Sequence, residues 1–149
     1  MPATPARCPE CGAAWKEDLD CTACFHQMLA WETEHPDLGR VHHLMVLSYH
    51  LQHPSLYSPE GLAYARRLLD DFVAGGASPP DVRRRNRQAV DSGRRDFKIT
   101  SRQGRAGGYP VPVAWTMTAV DVVAGGPQGY LANVEAWARA IHADLRGAG

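Results

Sequence analysis

A chain of 149 residues with zero formal net charge, 44% hydrophobic and 21% charged, has room for one domain with an apolar core. It has neither the composition of a disordered chain nor that of a strongly basic nucleic-acid binder. No apolar run approaches the roughly 18 residues that span a bilayer, and residues 1–8 hold no apolar stretch of the secretory type, so a cytoplasmic protein with no membrane partner is expected. The 14 glycines and 11 prolines predict that much of it is turn and loop.

The zero balance hides an asymmetry. Residues 1–37 carry Glu10, Glu17, Asp18, Asp20, Glu32, Glu34 and Asp37 against Arg7 and Lys16. Residues 83–105 carry Arg83, Arg84, Arg85, Arg87, Arg94, Arg95, Lys98, Arg102 and Arg105 against Asp91 and Asp96. Charge runs are commonly solvated faces; one this positive can also hold an anion, an acidic partner surface or the chain's own acidic end.

In chain order, the first chemical signal is sulfur. All four cysteines fall within residues 1–24, as Cys8-Pro9-Glu10-Cys11-Gly12 and Cys21-Thr22-Ala23-Cys24. A two-residue gap lets both thiolates of a tight turn point at one ion, and the glycine relieves the backbone as it bends. In a reducing compartment zinc explains this clustering better than disulfides, and the acidic setting argues against a reactive dithiol. The expectation is a structural Zn2+ on Cys8, Cys11, Cys21 and Cys24, closed and therefore not catalytic.

The rest reads as helices. Phe25, Met28 and Leu29 share a face between Thr22 and about Glu34, where Pro36 ends the helix. Asp37 is expected to cap a second helix, Leu38 to Gln52, with Val41, Leu44, Met45 and Leu51 buried and Pro54 as its stop. Ser58-Pro59-Glu60 opens a third with Leu62, Leu69, Phe72 and Val73 on its stripe, and Gly75-Gly76 stops it. Ser78-Pro79-Pro80-Asp81 repeats the capping pattern, with Val82, Ala89 and Val90 to bury. Residues 93–117 show no helical period and form a basic irregular insert, in which Val111 to Met117 could pair with Phe97 to Thr100 as a short ribbon. Thr118 and Asp121 form a capping box, and the last helix, Pro127 to Arg146, buries Tyr130, Val134, Trp137, Ile141 and Leu145.

The second helix carries His42, His43, His50 and His53. At 100° per residue His42, Tyr49 and His53 lie near one line, yet His42 and His53 are about 16 Å apart along a straight helix, too far to share an ion. His50 and His53, one turn apart, could share one, which is the basis of a metal-dependent hydrolase alternative. Imidazoles in a stripe more commonly bond inside a core or an interface. A metal-free ligand pocket lined by His42, Tyr49, Gln52 and His53 is the competing arrangement.

The CPECG knuckle, the segment VHHLMVLSYHLQHPSLYSPEGL, the run VDSGRR-FKI and the late AWTMTAVDVVAGG together resemble an uncharacterised bacterial family known only as a domain of unknown function. The resemblance covers nearly the whole chain and implies a small zinc-binding, mainly helical protein with no assigned reaction. It also implies that position 24 need not be cysteine, so that Cys8, Cys11 and Cys21 with one histidine, His42 or His53 first, compete with the four-sulfur set.

No nucleophile elbow, phosphate loop or His-Glu-x-x-His motif is present. The sequence therefore predicts a single, mainly α domain of about five helices over 1–149: a zinc knuckle in 1–24, helices in 25–92, the insert in 93–117 and C-terminal helices in 118–149. Its expected function is binding an anionic small molecule or acidic partner beside the His42 to His53 helix. Arg94, Arg95 and Lys98 would supply charge, and Tyr49, His50, His53 and Trp115 would shape the pocket. Single-stranded nucleic acid on the Arg83 to Arg105 strip is a further alternative.

Overall fold

Asp20 starts the first helix: its carboxylate accepts from the Ala23 amide at 2.8 Å, so Cys21 is already helical and α1 runs Cys21–Glu34. The computed structural model describes residues 7–15, 19–82, 84 and 107–147. Among them the protein is mainly helical and has no sheet.

The expected second helix is split. Pro36–Val41 is a 3-10 turn, and α2 proper runs His42–Gln52. Pro36 opens the turn and Gly39 lies within it, which weakens the case for a regular helix before His42. At the far end Pro54–Leu56 forms another 3-10 turn. The third helix, α3, runs Pro59–Val73 under a Ser58 cap whose hydroxyl accepts from the Gly61 amide at 3.0 Å. The Ser78 to Asp81 start signal also forms: the Ser78 amide donates to the Asp81 carboxylate at 2.9 Å, and residues 79–82 are helical. Ala89 and Val90 lie outside the described residues. The capping box of Thr118 and Asp121 opens α4, Ala119–Ala124, and α5 runs Tyr130–Gly147 after a 3-10 turn at Pro127–Gly129.

Helix α2 packs against α3 and α5, and α1 against α4. Every apolar residue expected on the stripe of α5 is buried, as are Val41, Leu44, Met45 and Leu51 beside α2. Each such side chain contributes about 1.5 to 3 kcal/mol of burial energy. One polar link runs through this core: Gln52, fully buried, accepts from the Trp137 indole N–H at 3.1 Å and donates to the Met117 carbonyl at 2.7 Å.

Residues 107–118 follow an irregular path with no strand, so the Val111 to Met117 half of the expected ribbon is not formed. Its partner half, residues 97–100, lies outside the described residues. The path nonetheless binds the end of α2. The Gly107 amide donates to the Tyr57 carbonyl at 2.7 Å, a Cβ at Gly107 would come within 3.2 Å of two backbone oxygens, and the Tyr109 hydroxyl donates to the Leu51 carbonyl. None of the described helices is long and apolar enough to cross a membrane.

Candidate metal centre

The turn from Cys8 to Gly12 closes by two backbone bonds, Gly12 amide to Cys8 carbonyl at 2.9 Å and Cys8 amide to Ala13 carbonyl at 3.0 Å. The Cys11 amide points at the Cys8 sulfur at 3.4 Å. Gly12 has φ +75° with open space where a Cβ would stand, so glycine is wanted for its backbone angle alone. Arg7 and Ala14 bridge as an antiparallel pair across the turn.

This knuckle faces the start of α1 and the end of α2. Single ligand atoms from Cys8, Cys11, Cys21 and His53, all four residues buried, lie within 4.8 Å of one another. The Cys11 and Cys21 sulfurs are 3.6 Å apart, against about 3.8 Å for two sulfurs at 2.3 Å from a tetrahedral zinc. His53 is prepared as a ligand. Its Nδ1 lies 2.7 Å from the Tyr49 carbonyl, which can only accept, so Nδ1 carries a proton and in the neutral ring Nε2 presents its lone pair. That Nε2 is buried and has no hydrogen-bond partner. The ring is further fixed by stacking on Tyr49 at 4.2 Å.

Electrostatics follow the same geometry. A proton donated by the Cys11 thiol, then the neighbouring His53 and Trp15 side chains, push the Cys21 thiol well below its ordinary value, while sharing that bond and burial push Cys11 up. Burial alone would lower His53; the Cys21 sulfur and the Tyr49 carbonyl outweigh it and raise it. Trp15 donates its indole N–H to the Cys21 sulfur at 3.2 Å, as an outer-sphere donor to a thiolate ligand does.

Glu10, inside the knuckle, joins it to the turn behind His53. Its carboxylate accepts from the Ser55 amide at 3.0 Å and the Ser55 hydroxyl at 2.8 Å. The two halves of the ligand set are thereby held together outside the sulfurs as well.

Cys24 falls outside the four-residue group. Because Asp20 caps α1, the second Cys pair is the first turn of a helix rather than a second knuckle, and Cys24 is carried into the core at 1% exposure. Burial raises its thiol to about 11, the behaviour of a small apolar residue. His42, the other histidine weighed for the fourth position, is engaged at the opposite end of α2, with Nδ1 2.6 Å from Glu32.

The remaining expected site residues that the structure describes have other partners. Tyr49 is buried against His53 and Phe25, and burial pushes its phenol up to about 12. Gln52 is spent on the core link rather than on a pocket wall. His50 is bonded through Nδ1 to the Val46 carbonyl at 2.9 Å and stacked on Tyr57 at 4.6 Å, and burial lowers its pKa. It is not in the four-residue group that holds His53. Trp115 is half-buried, edge-on to Tyr109 at 5.9 Å. Arg94, Arg95 and Lys98 lie outside the described residues, as does most of the Arg83 to Arg105 strip; Arg84 pairs with Asp81 at 2.5 Å. Sequence reasoning missed Trp15, Glu10 and Ser55, whose partners are 6 and 45 residues away and follow no spacing rule.

Set against known proteins, residues 6–146 match the model of a family of unknown function (DUF5946). No curated protein and no solved structure matches the chain.

Proposed function

The chain belongs to that family of unknown function, and we propose that it is a zinc-stapled helical binding protein, its single Zn2+ held by Cys8, Cys11, Cys21 and His53. The observation that carries this is the buried, unpartnered Nε2 of His53 beside three buried cysteines. A buried polar atom left unpaired costs about 1 to 3 kcal/mol, and a divalent ion with affinity for sulfur and imidazole removes that cost. Four protein ligands leave no open coordination position, so the ion holds structure and activates no water.

Metal content of purified protein tests this. The wild type and Cys24→Ala should each carry one zinc per chain, while Cys21→Ser and His53→Ala lose it or bind it at least tenfold more weakly. A Cys24→Ala protein without zinc, or a His53→Ala protein with undiminished affinity, would overturn the ligand set.

The binding half of the proposal rests on the charge run at residues 83–105. An anionic small molecule or an acidic protein surface is the partner chemistry that suits it. Pyrophosphate should bind the wild type and fail to bind a chain carrying Arg94→Ala and Arg95→Ala with unchanged zinc content. Equal affinity for both proteins ends this half of the proposal, and preferential binding of single-stranded oligonucleotides with a steep salt dependence would replace it with the nucleic-acid alternative.

A further inference from the structure

The end of α2 away from the cysteines holds a second constellation. Glu32 on α1 has a side chain only 8% exposed. One carboxylate oxygen meets His42 Nδ1 at 2.6 Å, and the other accepts from the hydroxyl of Tyr130, a residue fully buried at the start of α5. A buried carboxylate needs such donors. Since the carboxylate accepts, Nδ1 of His42 carries a proton, and in the neutral ring Nε2, on the opposite edge, is the acceptor. The imidazole is 40% exposed, so this acceptor is locked in tautomer and orientation at an accessible place.

Two clefts meet there, and His42 and His43 line both. One is a shallow depression beside the Pro36–Val41 turn. The other is a cavity of about 220 Å³ between α2 and α3, walled by Val46, Leu47, Tyr57, Ala65, Leu68 and Val82 among others. An apolar cavity of about 150 Å³ suffices for benzene, so this one admits a single ring with small substituents. Ring-sized, mostly apolar space, edged also by His43, Tyr57 and Tyr64, beside an oriented acceptor matches a specific ligand chemistry.

We propose that this cavity binds a small aromatic molecule bearing a hydroxyl group, of the phenol class, with its ring against Val46, Leu47 and Leu68 and its O–H donating to His42 Nε2. Glu32 and Tyr130 are positioning residues that hold the acceptor and do not touch the ligand. The site is independent of the zinc.

Titration of the zinc-loaded full chain with p-cresol and with toluene, followed by histidine 15N and methyl NMR, tests it. p-Cresol should bind saturably, shift the Val46 and Leu68 methyls and the His42 Nε2 signal, and bind about tenfold more tightly than toluene, the worth of one net hydrogen bond. His42→Phe should make the two affinities equal. Glu32→Gln, whose amide can donate to Nδ1 and so move the ring proton to Nε2, should reduce the preference, because the ligand hydroxyl must then accept instead of donate, without weakening toluene. Equal affinities in the wild type, or no binding of either compound up to its solubility limit, would overturn the proposal. Either result leaves the zinc content, and so the metal reading, untouched.

Discussion

The knuckle ahead of α1 and the core between α2, α3 and α5 are both buried, but by different chemistry. In the core the burial is hydrocarbon: Leu44, Leu51, Leu69, Trp137 and Ile141 are each at most 1% exposed. Among the described residues ahead of α1 the buried ones are Cys8, Cys11 and Ala13, so apart from the partly buried Trp15 a single methyl side chain is all the hydrocarbon packed beside the sulfurs. Apolar burial can hold the core alone; the knuckle has too little to offset the ordering of its backbone. The contrast teaches that one end of this fold is held by solvent exclusion, while the other gathers side chains that can hold a metal ion.

The largest expected effect comes from removing the ion. Chelation, or Cys8→Ser, should lower the thermal midpoint by on the order of 10 °C and expose the knuckle amides to hydrogen exchange, while α5 amides stay protected. Loss of protection in α5 to the same degree would show that the two regions are one cooperative unit. The converse is Gln52→Leu, which strands the Trp137 N–H and the Met117 carbonyl. It should cost about 3 kcal/mol in urea unfolding with one zinc still bound. A smaller effect, about 1 kcal/mol, follows from Gly12→Ala, because φ +75° disfavours a side chain even where space is open; competition with a chromogenic chelator should read it as roughly fivefold weaker zinc binding. The smallest is Ser55→Ala, which removes one of two exposed bonds to Glu10 and should cost about 0.5 kcal/mol, visible only as slightly faster metal release.

Local signals explain what could be read from the residues alone. Prolines and caps placed the helices to within a few residues, because Ser58 and Thr118 act on amides three positions away. The stripe of α5 was legible for the same reason: its period is that of the helix itself. Residues 38–41 leave the expected second helix for a 3-10 turn that Pro36 opens, because the strength of a 3-10 turn against an α start depends on what packs around it. For the metal centre, Cys-x-x-Cys spacing identified Cys8 and Cys11, and Cys21 came with its pair. Cys24 shared that spacing yet belongs to a helical first turn, a distinction made by the Asp20 cap rather than by the gap. His53 joins the group only because α2 folds back onto the knuckle, a contact between residues 32 or more positions apart that no periodicity encodes. Glu32, Tyr130 and His42 come together across 98 positions in the same way.

X-ray absorption at the zinc edge on the purified full chain tests the central claim most directly. Three sulfurs near 2.3 Å and one nitrogen near 2.0 Å are the expected shell, unchanged in Cys24→Ala. A shell of four sulfurs, or a folded protein that takes up no zinc at all, would contradict it.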